Sequence, residues 1–449
     1  MSMSEGIFRR ISVIAAVLLG IGMSAGAQTY GSYTPYSMFG VGDTGSQGTA
    51  FNKTMGGVGI ATRNNKFINV MNPAAVTARD SLAFMADFSV YADNKVFTQG
   101  DMKSASNTLN IESLSMSFPI WRSSAFAIGV MPFSNTGFGY STYYTDPSVI
   151  GRTGNIQYTA DGQGGIYQAY LAAGVTFWKR LSLGAEYIYH FGSVDKEYQC
   201  IFSDSSYNSL DNGNMMTLNA SAGKFGVQYA QPIGSKAVLT VGATYKTKAN
   251  LRGYVDTYSL SSGTAASDTL YYKVDTLGTT AHAHLASEKG IGISFRYGSK
   301  WMIEFDYTRS DWSDSNLNYV SGFAGNTVPA VSGGKSFSAF IPTLSESYRV
   351  GFEYVPNIND IRYYMNTVAY RGGAYYRKEY YLVDGHPVVS AGITLGMTLP
   401  VFRWSNGITL GMELGQRGTT DNNLIRERYV NFSVGFNLYD IWFQKSQYR

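Results

Sequence analysis

The residues of this chain best able to do chemistry are charged side chains that fall on one parity of alternating segments. Glu186 and His190, Lys246, Arg296, Glu304 and Asp306, Arg349 and Glu353, and Glu413 each sit on the polar side of a run whose every second residue is apolar. Alternation at period two is the pattern of a β-strand, whose successive side chains point to opposite faces. Charges gathered on one face can pair with one another, pair with a segment packed against that face, or form a polar relay along a ligand path. Spacing gives little support to catalysis. Of the four histidines, only His282 and His284 adjoin, and no cysteine or carboxylate lies within two residues of them, so no metal site is expected. Gly57-Val58-Gly59 lacks the preceding strand and following helix of a nucleotide loop. No local serine–histidine motif stands out and Cys200 is the only cysteine, so neither an enzyme activity nor a cofactor is expected.

The elements that must position these charges are strands. Leu181, Leu183, Ala185, Tyr187, Tyr189 and Phe191 alternate with Ser182, Gly184, Glu186 and His190. Trp301, Ile303, Phe305 and Tyr307 alternate with Glu304, Asp306 and Thr308, and Val430, Phe432, Val434 and Phe436 alternate with Asn431, Ser433 and Gly435. About fourteen such segments run from residue 81 to the end, longer than the strands of soluble sheets. Short turns (Trp178–Leu181, Tyr297–Lys300) alternate with longer connections (Ser134–Gly165, Leu260–His282, Asn316–Phe337). Short turns at one end and long loops at the other predict an all-β fold, a transmembrane antiparallel β-barrel with lipid as the apolar partner of its outer face. Composition agrees: 15% charged residues, 50 glycines and 35 tyrosines do not suit a soluble enzyme, and a net charge of +4 gives no reason to expect nucleic acid. Trp121, Trp178, Trp301, Trp404 and Trp442 near strand ends suggest an aromatic girdle. In the segment 213–231 the apolar parity shifts after Ala222, which predicts a β-bulge near Gly223 or Lys224.

Three regions follow. Residues 1–27 read as a secretory signal, with Arg9 and Arg10 before an apolar run and Ala25-Gly26-Ala27 as the cleavage site. Residues 28–80 do not alternate, yet they carry Phe39, Phe51, Met55, Phe67, Ile68 and Met71, which need burial. This predicts a plug folded into the lumen. Residues 81–449 form the barrel. Phe138, Tyr140, Tyr143 and Tyr144, in the long connection after the third strand, could offer an apolar landing site at the outer mouth. Pro132, with Gly129 before it and Gly137 and Gly139 after it, should kink or bulge that strand.

Met55-Gly56-Gly57-Val58-Gly59-Ile60-Ala61 followed by Asn72-Pro73-Ala74 resembles the hatch of the FadL-type outer-membrane transporters of hydrophobic compounds (the FadL/TodX-like family). The resemblance spans the mature chain. It implies a monomer in the outer membrane of a Gram-negative bacterium, in contact with membrane lipid and a hydrophobic small-molecule ligand, a long-chain fatty acid or an aromatic compound, taken up passively. It implies a tight hatch turn at Asn72, Pro73 and Ala74, and lateral release through the wall at Gly129–Gly139. Arg63-Asn64-Asn65 departs from the acidic residues many members carry there. The alternative is that the barrel acts as a scaffold or shuttle component of a protein-secretion system, as some FadL-like barrels do.

Overall fold

The computed structural model describes residues 31–80, 82–121, 123–144, 147–262, 267–323, 340–402 and 406–441. The signal segment 1–27, Trp404 and Trp442 lie outside the described residues.

The strands are β1 (Ala83–Gln99), β2 (Met102–Trp121), β3 (Ser124–Tyr143), β4 (Ile156–Phe177), β5 (Leu181–Phe202), β6 (Ser209–Ile233), β7 (Ala237–Lys246), β8 (Arg252–Ser262), β9 (Ser267–Leu277), β10 (Glu288–Tyr297), β11 (Trp301–Asp311), β12 (Leu344–Tyr354), β13 (Ala369–Val383), β14 (His386–Phe402), β15 (Asn406–Arg417) and β16 (Arg426–Ile441). All but β8 and β9 form the wall, a closed antiparallel barrel of fourteen strands in which β16 pairs back onto β1 from Ala83↔Ile441 to Thr98↔Arg426. Closure gives each strand a neighbour on both sides, which a sheet in hydrocarbon requires.

Register arranges the outward side chains in belts. Tyr297, Trp301, Tyr354 and Tyr370 form one row at the short-turn end, the end that is periplasmic in outer-membrane barrels. Ile291, Tyr307, Tyr348 and Tyr376 form a second row, and Lys289, Arg309, Glu346 and Lys378 a third beyond it. Between the first two rows lie Ile293, Phe295, Ile303, Phe305, Val350 and Phe352. The six residue steps from Trp301 to Tyr307 cover roughly 20 Å along a strand, close to the apolar band of a membrane barrel. Trp121 and Trp178 are exposed at the same periplasmic end as Trp301.

Several strands run far beyond this band. β3 continues to Tyr143 and β4 begins at Ile156, so most of the connection expected at 134–165 is sheet. The expected loop 260–282 is largely the hairpin β8–β9, with β8 continuing the sheet against the outer half of β6 from Ser209↔Ser262 to Asn219↔Arg252. β9 pairs only with β8 among the described residues. The β-bulge expected near Gly223 is not there, because β6 keeps continuous register with β5 through Tyr187↔Gly223 and Glu186↔Lys224. The apolar parity shifts for a different reason. Met216, Leu218, Ala220 and Ala222 face inward against a core under the outer loops, whereas Phe225 and Tyr229 face outward toward lipid.

That core closes the outer mouth. Tyr36 and Val41, from the segment before the barrel, pack with Trp312, Leu317, Val320, Phe323, Phe340, Tyr380 and Tyr381. Rings of Trp312 and Tyr380 lie 4.6 Å apart, and Phe39 stacks on Phe340. Lys196, almost fully buried, pins the layer by donating to the carbonyls of Met38 (2.7 Å) and Gly322 (2.6 Å). Burial with no carboxylate partner pushes its ammonium down to about 7.

Candidate functional site: the plug and the wall that holds it

Residues 31–80 fold inside the barrel around three short helical turns, Pro35–Met38, Ala50–Lys53 and Pro73–Thr77. Phe51, Met55, Val58, Ile60 and Ala74 are buried. The hatch turn is capped locally: the Asn72 side-chain oxygen accepts from the Ala74 N–H (3.0 Å), and its amide donates to the carbonyl of Ile60 (2.8 Å). Proline in the first turn of the short helix loses no needed donor.

The wall meets this turn with glycines. Gly174, Gly184 and Gly226 are register partners on β4, β5 and β6. A Cβ on Gly184 would lie 2.3 Å from the Pro73 carbonyl carbon, and one on Gly226 would lie 2.0 Å from the Asn72 side-chain oxygen. Across the lumen, Gly242 and Gly292 accommodate Ile60–Ala61, Gly351 and Gly373 accommodate Met55–Gly56, and Gly396 accommodates Thr54. The lumen-facing glycines thus let two backbones approach where any side chain would hold them apart.

Electrostatics completes the seat. Asp306 accepts from the N–H groups of Gly59 (2.7 Å) and Ile60 (3.0 Å), and Glu304 accepts from those of Ala61 (2.8 Å) and Thr62 (3.0 Å). Two carboxylates on one strand thereby hold four consecutive amides, while Arg349 donates to the carbonyl of Gly57 (3.2 Å). The remaining sequence-predicted charges also face inward but belong to separate groups. Arg296 and Glu353 pair at the periplasmic mouth (3.3 Å). Glu413 accepts from Tyr91 (2.9 Å) and Tyr375 in the outer half of the lumen. Glu186 shares a small cavity with Lys224, Lys246 and Glu288, and the His190 ring meets Phe133 edge-on at 4.8 Å.

Sequence reasoning missed the largest polar network. Asp43 of the plug pairs with Arg417 (2.9 Å) and lies near Lys95 (3.9 Å); Arg417 reaches Glu379 (3.4 Å) and Glu427 (3.7 Å); Arg377 pairs with Glu379 (2.8 Å). Burial alone would raise the Asp43 carboxyl, but Arg417 and Lys95 outweigh it and hold it well below the usual carboxylate range. Lys53 of the plug pairs with Glu112 and lies over the Tyr91 ring. Inward parity would have found Arg377, Glu379, Arg417 and Glu427 on their strands. No sequence signal marks Asp43 or Lys53, which sit in the non-alternating segment before the barrel. All of these groups except Glu379 line a cavity of about 130 Å³.

The wall is incomplete beside that cavity. β2 and β3 pair only from Trp121↔Ser124 to Leu114↔Val130. Beyond that point, Met102–Ser113 pair with β1 alone and Met131–Tyr143 with β4 alone among the described residues. The separation begins next to Pro132, where the β3–β4 register shifts between Pro132 and Ser134. Pro132 therefore lies inside a continuing strand, and Gly129 marks the last paired stretch. Past it, the plug occupies the free edge of β3. Thr34 N–H donates to Gly137 (2.7 Å), Asp43 and Asn135 exchange backbone bonds (2.8 and 3.0 Å), and the Gly139 N–H donates to the Tyr33 hydroxyl (3.3 Å). Of the four aromatics expected at the outer mouth, Tyr140, Tyr143 and Tyr144 are exposed. Phe138 is not: it points inward and is fully buried against Ala160 and Tyr198, because its strand continues and the register shift between Pro132 and Ser134 moves the even-numbered residues to the inner face.

Solved structures share this architecture. The CymD monoaromatic hydrocarbon channel superposes with a TM-score of 0.54 at 14% identity over 89% of this chain and 98% of its own. The Pseudomonas putida toluene transporter TodX gives 0.53 at 14% identity over 89% and 99%. The Ralstonia pickettii toluene transporter TbuX gives 0.52 at 13% identity over 87% and 97%. At such identities the likeness concerns the fold, that of the FadL-type outer-membrane channels. No curated protein matches the chain significantly. The BamG family model matches residues 7–449, nearly the whole sequence, and the chain belongs to the BamG family, built on a plugged barrel of the FadL-type fold.

Proposed function

We propose that this protein is a sealed barrel of a Gram-negative outer membrane that serves as a membrane-embedded scaffold, the docking subunit of a larger protein assembly of the secretion-machinery kind. The observation that carries the reading is the state of the lumen. An aromatic cap lies above, a plug held by backbone-to-carboxylate bonds lies below, and the cavity between them is lined by Asp43, Lys95, Glu112, Arg377, Arg417 and Glu427 beside Ile111, Met131 and Phe133. An apolar solute entering such a site would have to desolvate these charges and could return no hydrogen bond to them. The outer surface supports the same reading. The hairpin β8–β9 stands above the membrane band with one edge of β9 unpaired among the described residues, and exposes Leu270 (59%), Tyr271 (49%), Tyr272 (61%) and Val274 (44%). Edge strands that serve no partner are usually short, charged or covered. The partner this edge suits is an extended strand with apolar side chains on its contact face.

The test is the size of the particle carrying the wild-type chain when native outer membranes are extracted in mild detergent. A complex larger than the single chain is expected, and Tyr272→Glu with Val274→Glu should release the chain as a monomer. A wild-type chain that runs alone from native membranes would sink the scaffold reading.

One observation favours the transport reading, in which a hydrophobic compound leaves sideways through the wall: the loss of β2–β3 pairing at Pro132, where the resemblance places the lateral opening. Under that reading the plug segment Tyr33–Asp43 must leave the edge of β3 for each passage.

A further inference from the structure

A second cavity, of about 250 Å³, lies at the periplasmic mouth between the plug stretch Arg63–Phe67 and the wall. Among the described residues its cationic lining is Arg63, Lys66, Arg296 and Arg371, and its one carboxylate is Glu353. That carboxylate is already used, by Arg371 (2.9 Å) and by Arg296 (3.3 Å). Arg63 donates only to neutral oxygens, those of Ser182 (2.7 Å), Gln228 (3.0 Å) and Thr77 (3.2 Å). The Arg371 side chain has no solvent exposure, and its guanidinium carbon lies 4.6 Å from the centre of the Phe51 ring and 5.0 Å from that of Phe67. Nε reaches Glu353 and Nη1 reaches Thr398, but Nη2 has no hydrogen-bond partner among the described residues. A buried guanidinium N–H without an acceptor is costly, and a surplus of positive charge around it calls for an anion.

We propose that this pocket binds a phosphate group. Four cations approaching from the plug, β10 and β13 around one engaged carboxylate suit a polyvalent oxyanion better than a single carboxylate, since a phosphate can accept from several directions at once. Arg371, held in place by Glu353 and Thr398, supplies a preorganised donor. Lys66, partly exposed at the mouth, supplies the charge that a ligand meets first. The same phosphate chemistry could belong to soluble inorganic phosphate or to the headgroup of an inner-leaflet phospholipid.

The experiment uses the full chain in zwitterionic detergent, titrated with inorganic phosphate at constant ionic strength against chloride, with binding read by calorimetry. Saturable binding is expected, weakened about tenfold or more in Lys66→Gln, as loss of one charge-assisted contact implies. Arg371→Lys should weaken it further. Because Arg371 is buried and its variant could misfold, Lys66→Gln, at the cavity mouth, carries the test. A second arm places the chain in nanodiscs of phosphatidylcholine with phosphatidylglycerol and measures the lipid retained after extraction. Phosphatidylglycerol kept by the wild type and lost in Lys66→Gln assigns the site to a lipid headgroup, and phosphate binding without that retention assigns it to the soluble ion. Equal phosphate binding and equal lipid retention in wild type and Lys66→Gln, or no binding in either arm, would overturn the proposal.

Discussion

The double substitution Glu304→Ala, Asp306→Ala is expected to unseat the plug and turn a closed barrel into a conducting one. These two carboxylates accept four consecutive backbone N–H groups, from Gly59 to Thr62, in a buried setting. Each buried donor left without an acceptor costs about 1–3 kcal/mol, so four of them outweigh the relief from no longer burying two acids side by side. Glu304→Gln and Asp306→Asn keep an acceptor oxygen at each position and should largely preserve the closed state. Single-channel recording in planar bilayers separates the cases. The wild type and the amide variants should stay near baseline, and the double alanine variant should show open events. Closed behaviour in the double alanine variant would mean that other contacts suffice to hold the plug.

A comparable effect is expected from one methyl-bearing side chain placed under the plug. Gly373→Val would put a Cβ 2.3 Å from the carbonyl carbon of Met55, and Gly184→Val would do the same to Pro73. Overpacking in a core costs about 1–3 kcal/mol even when side chains can move aside. Here the obstacle is backbone, which cannot change rotamer, so the plug must lift. Trypsin should then cut at Lys53, Arg63 or Lys66, sites that the folded plug protects in the wild type. Gly151→Ala, at an exposed glycine with open space around it, is the control and should leave the digestion pattern unchanged.

The barrel was legible because its cause is local. Alternation such as Trp301 to Thr308 puts apolar residues on one face and carboxylates on the other, and each strand carries that pattern by itself. The plug was legible as a need for burial, in Phe51, Met55 and Ile68, though not as a shape. What remained hidden depends on register between strands far apart in sequence. No run of residues shows that Gly184 and Gly226 are neighbours under Pro73, or that Arg417 reaches Asp43, because those meetings arise only when the sheet closes. Two readings failed for one physical reason. Above the membrane band the barrel has protein inside and water outside, so apolar residues such as Met216 and Phe138 turn inward, the reverse of the rule that holds in lipid. A reading that assumed one environment along the whole of β6 took the reversal for a bulge.

Low charge and abundant glycine also have specific places in the structure. Charges inside the wall such as Asp306, Glu304 and Arg417 bind the plug or one another, and Lys289, Arg309, Glu346 and Lys378 outside it form a row at the outer boundary of the membrane band. Glycines of the wall make the seat on which the plug rests. The fold is one shared with the FadL-type channels, whereas the lumen holds the plug and a large polar network.

The most direct test of the central claim is uptake of labelled toluene and of a labelled long-chain fatty acid by cells that make the wild-type chain and by matched cells that lack it. A sealed scaffold predicts equal rates for both compounds. Faster uptake in the cells that make the chain, abolished by a crosslink joining β2 to β3 at Pro132, would contradict it and establish the barrel as a lateral channel.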